Sequence, residues 1–199
     1  PVFTRKTPKQ KMDVTRICPA CGAGPCSFRC KCRLTFYCGP ECQRKDWARH
    51  KRGCTVSLER RLQGLRRRRG EADASVAKGA SRIGDIHFQQ GRFSEAEASY
   101  REAKNICETT YGEEHSSTAR LLVCLGRTMC KLGTKLEDAV ESFQRSILIY
   151  RNFYGRDGTG VSGSNGLRKA LAGLGEAYVM QGRWEEAIES LQEALDKPS

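Results

Sequence analysis

Between Cys18 and Cys54 the chain packs eight cysteines and one histidine into 37 residues, a density found nowhere else along it. The residues fall into close pairs: Cys18-x2-Cys21, then Cys30 and Cys32, then Cys38-x3-Cys42, and finally His50-x3-Cys54. Tetrahedral zinc takes thiolate or imidazole ligands, usually two from one tight turn and two from a second element, so four pairs supply two complete sites. The i,i+4 spacing of Cys38/Cys42 and His50/Cys54 suits one face of a helix, or a turn leading into one. A disulfide framework is the competing arrangement for eight cysteines. The closing His-x3-Cys pair has no role in it, and the sequence shows no secretory signal.

The segment from Tyr37 to Cys54, YC-x3-CQRKDW-x2-HK-x2-C, resembles a MYND zinc finger. The resemblance implies two interleaved structural sites, the first and third pairs on one zinc and the second and fourth on the other. It also implies a short hairpin plus a helix. The family's second pair is Cys-x2-Cys, which would put a cysteine at Arg29; here Cys26, Cys30 and Cys32 compete for those two places. Cys32 keeps the family's gap to Cys38, and Cys30 is its nearest partner. The expected ligands are therefore Cys18, Cys21, Cys38 and Cys42, and Cys30, Cys32, His50 and Cys54, with Cys26 as the alternative to Cys30. Related fingers dock proline-containing peptides beside the strand and helix, at the positions of Gln43 and Trp47. The competing role for Trp47 is packing over the small metal core.

Charge separates the two halves of the sequence. Residues 1–70 carry 19 Lys/Arg against 4 Asp/Glu, whereas residues 71–199 carry 16 against 19. Nucleic acid is thus a candidate partner of the N-terminal third alone. No run approaches the length of a membrane span. Eleven cysteines without a signal sequence point to a reducing, intracellular compartment, with cytoplasm first and nucleus or cilium as alternatives. Residues 1–17, basic and broken by proline, are expected to form a flexible arm. Leu34–Tyr37 is β-prone, and Pro40 opens a helix that Gly53 stops. Residues 55–73 form a basic helical linker in which Leu58, Leu62 and Leu65 recur at helical spacing. The run Arg66–Arg69 is a solvated face, a localisation signal or a nucleic-acid contact.

From residue 74 onward three stretches align: Ile83-Gly84 through Gly91 to Ala103, Leu125-Gly126 through Gly133 to Ser146, and Leu174-Gly175 through Gly182 to Ala194. Small residues at fixed offsets let paired helices approach, large ones fill the space between, and each inner glycine ends a helix. The pattern is similar to the tetratricopeptide (TPR) repeat, which implies a mainly α protein: the two-zinc finger followed by an α-solenoid of about three helix pairs (74–110, 116–153, 165–197). Gly84 to Gly126 is 42 residues and Gly126 to Gly175 is 49, longer than the common period of about 34 and resembling kinesin light chains. Most of the extra length falls in residues 155–166, GRDGTGVSGSNG, expected as a loop. A start at Pro1 and a final helix without a solvating cap predict a longer parent with repeats beyond Ser199. The order of finger then long repeats also resembles axonemal zinc-finger proteins of motile cilia.

No catalytic constellation is present in the sequence: there is no phosphate-binding glycine loop and no nucleophile elbow. His87 stands at an aromatic core position of the repeat, His115 falls in a solvated inter-repeat loop, and Cys107, Cys124 and Cys130 serve as small hydrophobes. MYND fingers also occur in SET-domain lysine methyltransferases, but inserted within the catalytic domain; here about twenty residues separate finger and repeats. The sequence therefore reads as a non-enzymatic adaptor. The TPR resemblance places Lys78, Ser81, Asp85 and Phe88, Arg120, Val123, Arg127 and Cys130, and Lys169, Ala172, Glu176 and Val179 on the concave face. That lining, led by Lys78, Arg120, Arg127 and Lys169, suits an extended peptide with an acidic residue and an apolar anchor.

Overall fold

The structure is a computed structural model that describes residues 17–24, 26–32, 35–133, 135–154 and 161–196, with the backbone alone at 154 and 161–164. The arm 1–17 therefore lies outside the described residues save for Ile17, as do Leu34 and 155–160 of the expected loop. The chain divides into two compact units, Pro1–Leu58 and Glu59–Ser199.

In the first unit, strands β1 (Phe28–Arg29) and β2 (Phe36–Tyr37) pair antiparallel, Phe28 opposite Tyr37 and Arg29 opposite Phe36. Helix α1 (Pro40–His50) follows at once. Pro40 suits its first turn because the N–H it lacks would have no intrahelical partner there. The core beneath is Cys18, Cys26, Cys30, Cys32, Tyr37 and Cys54, with Phe36, Cys42 and Val56 packed against it. Among the described residues of this apolar cluster, five of the six that are buried are thiols, so apolar burial alone cannot hold so small a unit. Helix α2 (Thr55–Arg69) starts here and crosses the division at Leu58.

The second unit begins with the remainder of α2. Its Leu62 is buried over Gly79, where a Cβ would come within 2.7 Å of Leu62 Cδ1. Arg66 pairs with Glu71 (3.0 Å) and with Glu102. Six helices follow: α3 (Ala74–Gln89), α4 (Phe93–Tyr111), α5 (Ser116–Leu132), α6 (Leu136–Tyr154), α7 (Val161–Gln181) and α8 (Trp184–Asp196). They pack as the pairs α3/α4, α5/α6 and α7/α8, each pair resting on the next. Gly91, Gly133 and Gly182 take φ of 70°, 70° and 76°, the left-handed backbone that glycine supplies at the turn inside each pair. Gly84, Gly126 and Gly175 serve a different need. A Cβ on them would meet Tyr100 (2.7 Å), Phe143 (2.7 Å) and Leu191 (2.6 Å), so each admits the large residue of its partner helix.

Two local expectations need correction. Residues 161–166, read as loop, form the first turns of α7. Their glycines allow it through packing, since a Cβ on Gly166 would stand 2.5 Å from the Tyr150 ring, and tertiary contact overrides weak helix propensity. His115 is a helix cap rather than a solvated loop residue. Its Nδ1 accepts the Ser117 N–H (3.1 Å), and its ring stacks on Tyr111 at 4.6 Å. His87 is buried, as its core position predicts.

Ion pairs from two half-exposed cations to a buried carboxylate tie the first repeat to the second. Glu97 on α4 accepts from Arg101 (2.9 Å) and from Lys135 (2.9 Å), the residue just before α6. Burial pushes the Glu97 carboxyl up, but the hydrogen bonds from Lys135 and Arg101 outweigh it and hold the group below the usual carboxylate range. Glu97→Gln should therefore cost about 1–2 kcal/mol at neutral pH. The folded value lies below the unfolded one near ~4.3, so this stability is complete above that pH and is lost as pH falls through the folded value. Urea melts of both proteins should differ at pH 7 and converge as the pH falls below the folded value of Glu97.

Candidate functional site

The hairpin and α1 bring the cysteine pairs together in two groups. Cys18, Cys21, Cys38 and Cys42 form one; Cys30, Cys32, His50 and Cys54 form the other; the donor atoms of each lie within 4.8 Å of one another. In the first, Cys21 Sγ is 3.4 Å from Cys38 Sγ and 3.8 Å from Cys42 Sγ. In the second, His50 Nε2 is 3.2 Å from Cys30 Sγ and 3.4 Å from Cys32 Sγ. A zinc tetrahedron with Zn–S of about 2.3 Å sets its sulfurs roughly 3.8 Å apart, so the donors stand close to the edges that zinc requires. Both groups are positioned to bind zinc, two ions in all.

The surroundings prepare the donors for a cation. Burial pushes the Cys18 thiol up, but backbone N–H groups of Cys38, Ala20 and Cys21 overcome this and bring it to about 6. Cys38 and Cys42 are pushed up, first by the hydrogen bond each shares with Cys21 and then by burial. Crowded sulfurs cannot all carry charge until a dication sits among them, so zinc uptake releases protons. Burial keeps His50 neutral, as a ligand must be, against the pull of Asp46. Thr35 Oγ1 lies 3.2 Å from His50 Nδ1, which can donate to it and leave Nε2 facing the cysteines. Behind the site, buried Tyr37 donates to Asp46 Oδ2 (2.7 Å) and Arg49 to Asp46 Oδ1 (2.8 Å), locking α1 onto β2.

Cys26 is in neither group, which leaves Cys30 in the place chosen for it. Its spacing offers it as an alternative to Cys30, yet its sulfur lies beside the first group, 3.7 Å from Cys38 Sγ, and donates to Ala23 O (3.2 Å). Trp47 is not wholly core: it is 40% exposed, its ring 5.9 Å from that of His50, and Gln43 stands one turn before it on α1.

On the repeats, Lys78, Arg120, Arg127 and Lys169 are all exposed. Arg120 donates to Ser81 Oγ (3.3 Å), and the Arg127 guanidinium lies over the Phe88 ring at 5.3 Å, a cation–π contact that motif counting missed. Asp85 is occupied by the Tyr100 hydroxyl (2.8 Å). Val123 and Cys130, expected on the concave face, are buried, because α5 is packed by α4, α6 and α7 together. Phe88, Ala172 and Val179 remain at least partly exposed.

The tetratricopeptide repeat family model matches residues 75–152 and 117–197, covering the six helices of the three pairs. The chain belongs to the tetratricopeptide repeat family. Ahead of these TPR repeats, the MYND finger model matches residues 18–54. Among solved structures, the chain is similar to the crystal structure of BtubC (BKLC) from P. vanneervenii. The TM-score is 0.65 at 20% identity, over 78% of this chain and 58% of that one. The likeness is one of fold, and this chain spans little more than half the length of that protein. A MYND finger joined to TPR repeats makes a zinc-binding protein-interaction module. No described helix is long and apolar enough to cross a membrane.

Proposed function

We propose that this TPR protein is a non-enzymatic intracellular adaptor that holds partners by short extended segments. The observation that carries this reading is the cationic ladder. Lys78, Arg120 and Lys169 occupy the same position in α3, α5 and α7 and all three are exposed, and Arg127 lies over Phe88. Equal spacing of charge along successive helices suits a peptide with acidic side chains, and Phe88 offers an apolar anchor point. Residues 71–199 carry more acidic than basic side chains, which disfavours nucleic acid there. On the finger, Trp47 and Gln43 offer an aromatic face and an amide to a proline-containing segment. With all eight donors in their assigned places, each zinc is fully ligated and serves structure rather than catalysis.

The test is a peptide array followed by anisotropy titrations on the zinc-loaded chain. Reversing Arg120 and Arg127 to glutamate together should weaken acidic-peptide binding about tenfold or more, with helicity unchanged. Trp47→Ala should keep two zinc ions and lose the proline-containing peptides. Unchanged affinity in the doubly reversed protein would remove the ladder as the site, and unchanged proline-peptide binding would remove Trp47.

A further inference from the structure

We propose that Cys26 and Cys38 form a peroxide-reactive pair whose oxidation to a disulfide opens the first zinc site. This rests on the assignment of Cys18, Cys21, Cys38 and Cys42 as that site's ligands. The finger holds nine residues able to ligate zinc, and two tetrahedral ions need eight. The ninth is neither remote nor idle. Cys26 is 4% exposed, and its sulfur stands 3.7 Å from that of Cys38. Cys38 is exposed to solvent. An accessible sulfur thus touches a buried thiol that no metal needs, the arrangement of an attacking and a resolving cysteine.

The chemistry balances without a further reactant. The Cys38 thiolate attacks one oxygen of a hydroperoxide. The S–O bond forms, the O–O bond breaks, and the second oxygen leaves as hydroxide, which a proton converts to water. Cys38 is now a sulfenic acid, and its departure from the ligand set waits on the thiol that resolves it. The Cys26 sulfur attacks it; the S–S bond forms, the S–O bond breaks, and the oxygen departs as water with the Cys26 proton. Two thiol sulfurs lose two electrons, and the peroxide gains them. A zinc ion held there would be left with Cys18, Cys21 and Cys42 and would be released. Cys21 is a rival for the sulfenic acid, at 3.4 Å from Cys38. Resolution by Cys21 would remove a second ligand from the site, whereas Cys26 is no member of the ligand set. The second group shares neither member of the pair and keeps its ion.

The test treats the zinc-loaded full chain with hydrogen peroxide, follows zinc with a chromophoric chelator, and maps disulfides by mass spectrometry after alkylation. One zinc per chain should appear together with a Cys26–Cys38 disulfide, and dithiothreitol with added zinc should reverse both. Cys26→Ser should start with two zinc ions and release the first about tenfold more slowly. An unchanged release rate in Cys26→Ser, or a disulfide mapped to Cys21–Cys38, would overturn the pair while leaving the ligand assignment intact. A Cys26→Ser protein carrying a single zinc as purified would make Cys26 a ligand and overturn both.

Discussion

Removing zinc from the folded chain should unfold residues 18–54 and leave α3–α8 helical. Structural zinc in small fingers is worth on the order of 10 kcal/mol or more per ion at neutral pH, and that binding energy is folding energy. Among its described residues the finger has nothing of comparable size to replace it. Of the six buried core residues described there, Tyr37 alone is not a cysteine, and its two strands are two residues each. The repeats hold no metal group among the described residues and rest on packed apolar side chains. Hydrogen exchange with and without a strong chelator would show the pattern. Protection should vanish over α1 and the hairpin and persist in α5 and α6. Acid should act in the same direction, since protons compete with zinc for the thiolates.

Phe143→Ala should be the most damaging single substitution in the repeats, at about 3–5 kcal/mol. The ring has no exposed surface and fills the space over Gly126, where a Cβ would come within 2.7 Å. The same ring lies against Gly173 of α7, so one side chain joins the second pair to the third. Truncation leaves a cavity that flanking helices cannot close without moving two pairs. A urea melt should show a large drop in midpoint. Leu191→Ala makes the comparison: Leu191 is the equivalent residue in α8 but is 37% exposed, and it should cost much less.

The repeats were legible because one physical rule writes the same signature three times. Each pair needs a small residue where its helices meet and a left-handed glycine where the chain turns, and Gly84/Gly91, Gly126/Gly133 and Gly175/Gly182 supply both. The start of α7 was not legible. Glycine and serine at 162–166 read as loop by local propensity, and only the neighbouring Tyr150 ring shows why glycine is needed inside a helix. The donor pairs followed from spacing, because a tight turn fixes two ligands at a time, while the MYND resemblance implied which pairs share an ion. Cys26, the alternative to Cys30, lies outside both groups, in keeping with the choice of Cys30. Its x3 spacing to Cys30 equals that of Cys38 to Cys42, so spacing alone did not show that its sulfur would lie beside Cys38. Val123 and Cys130 show a similar limit: a repeat register says which way a residue points, not how closely the neighbouring helix covers it.

That the finger holds two structural zinc ions on these eight residues is tested most directly by native mass spectrometry of three proteins. The wild-type chain and Cys26→Ser should each carry two zinc ions, and Cys30→Ser one. Two ions in Cys30→Ser with one in Cys26→Ser would contradict the assignment, and fewer than two in the wild type would contradict the paired sites themselves.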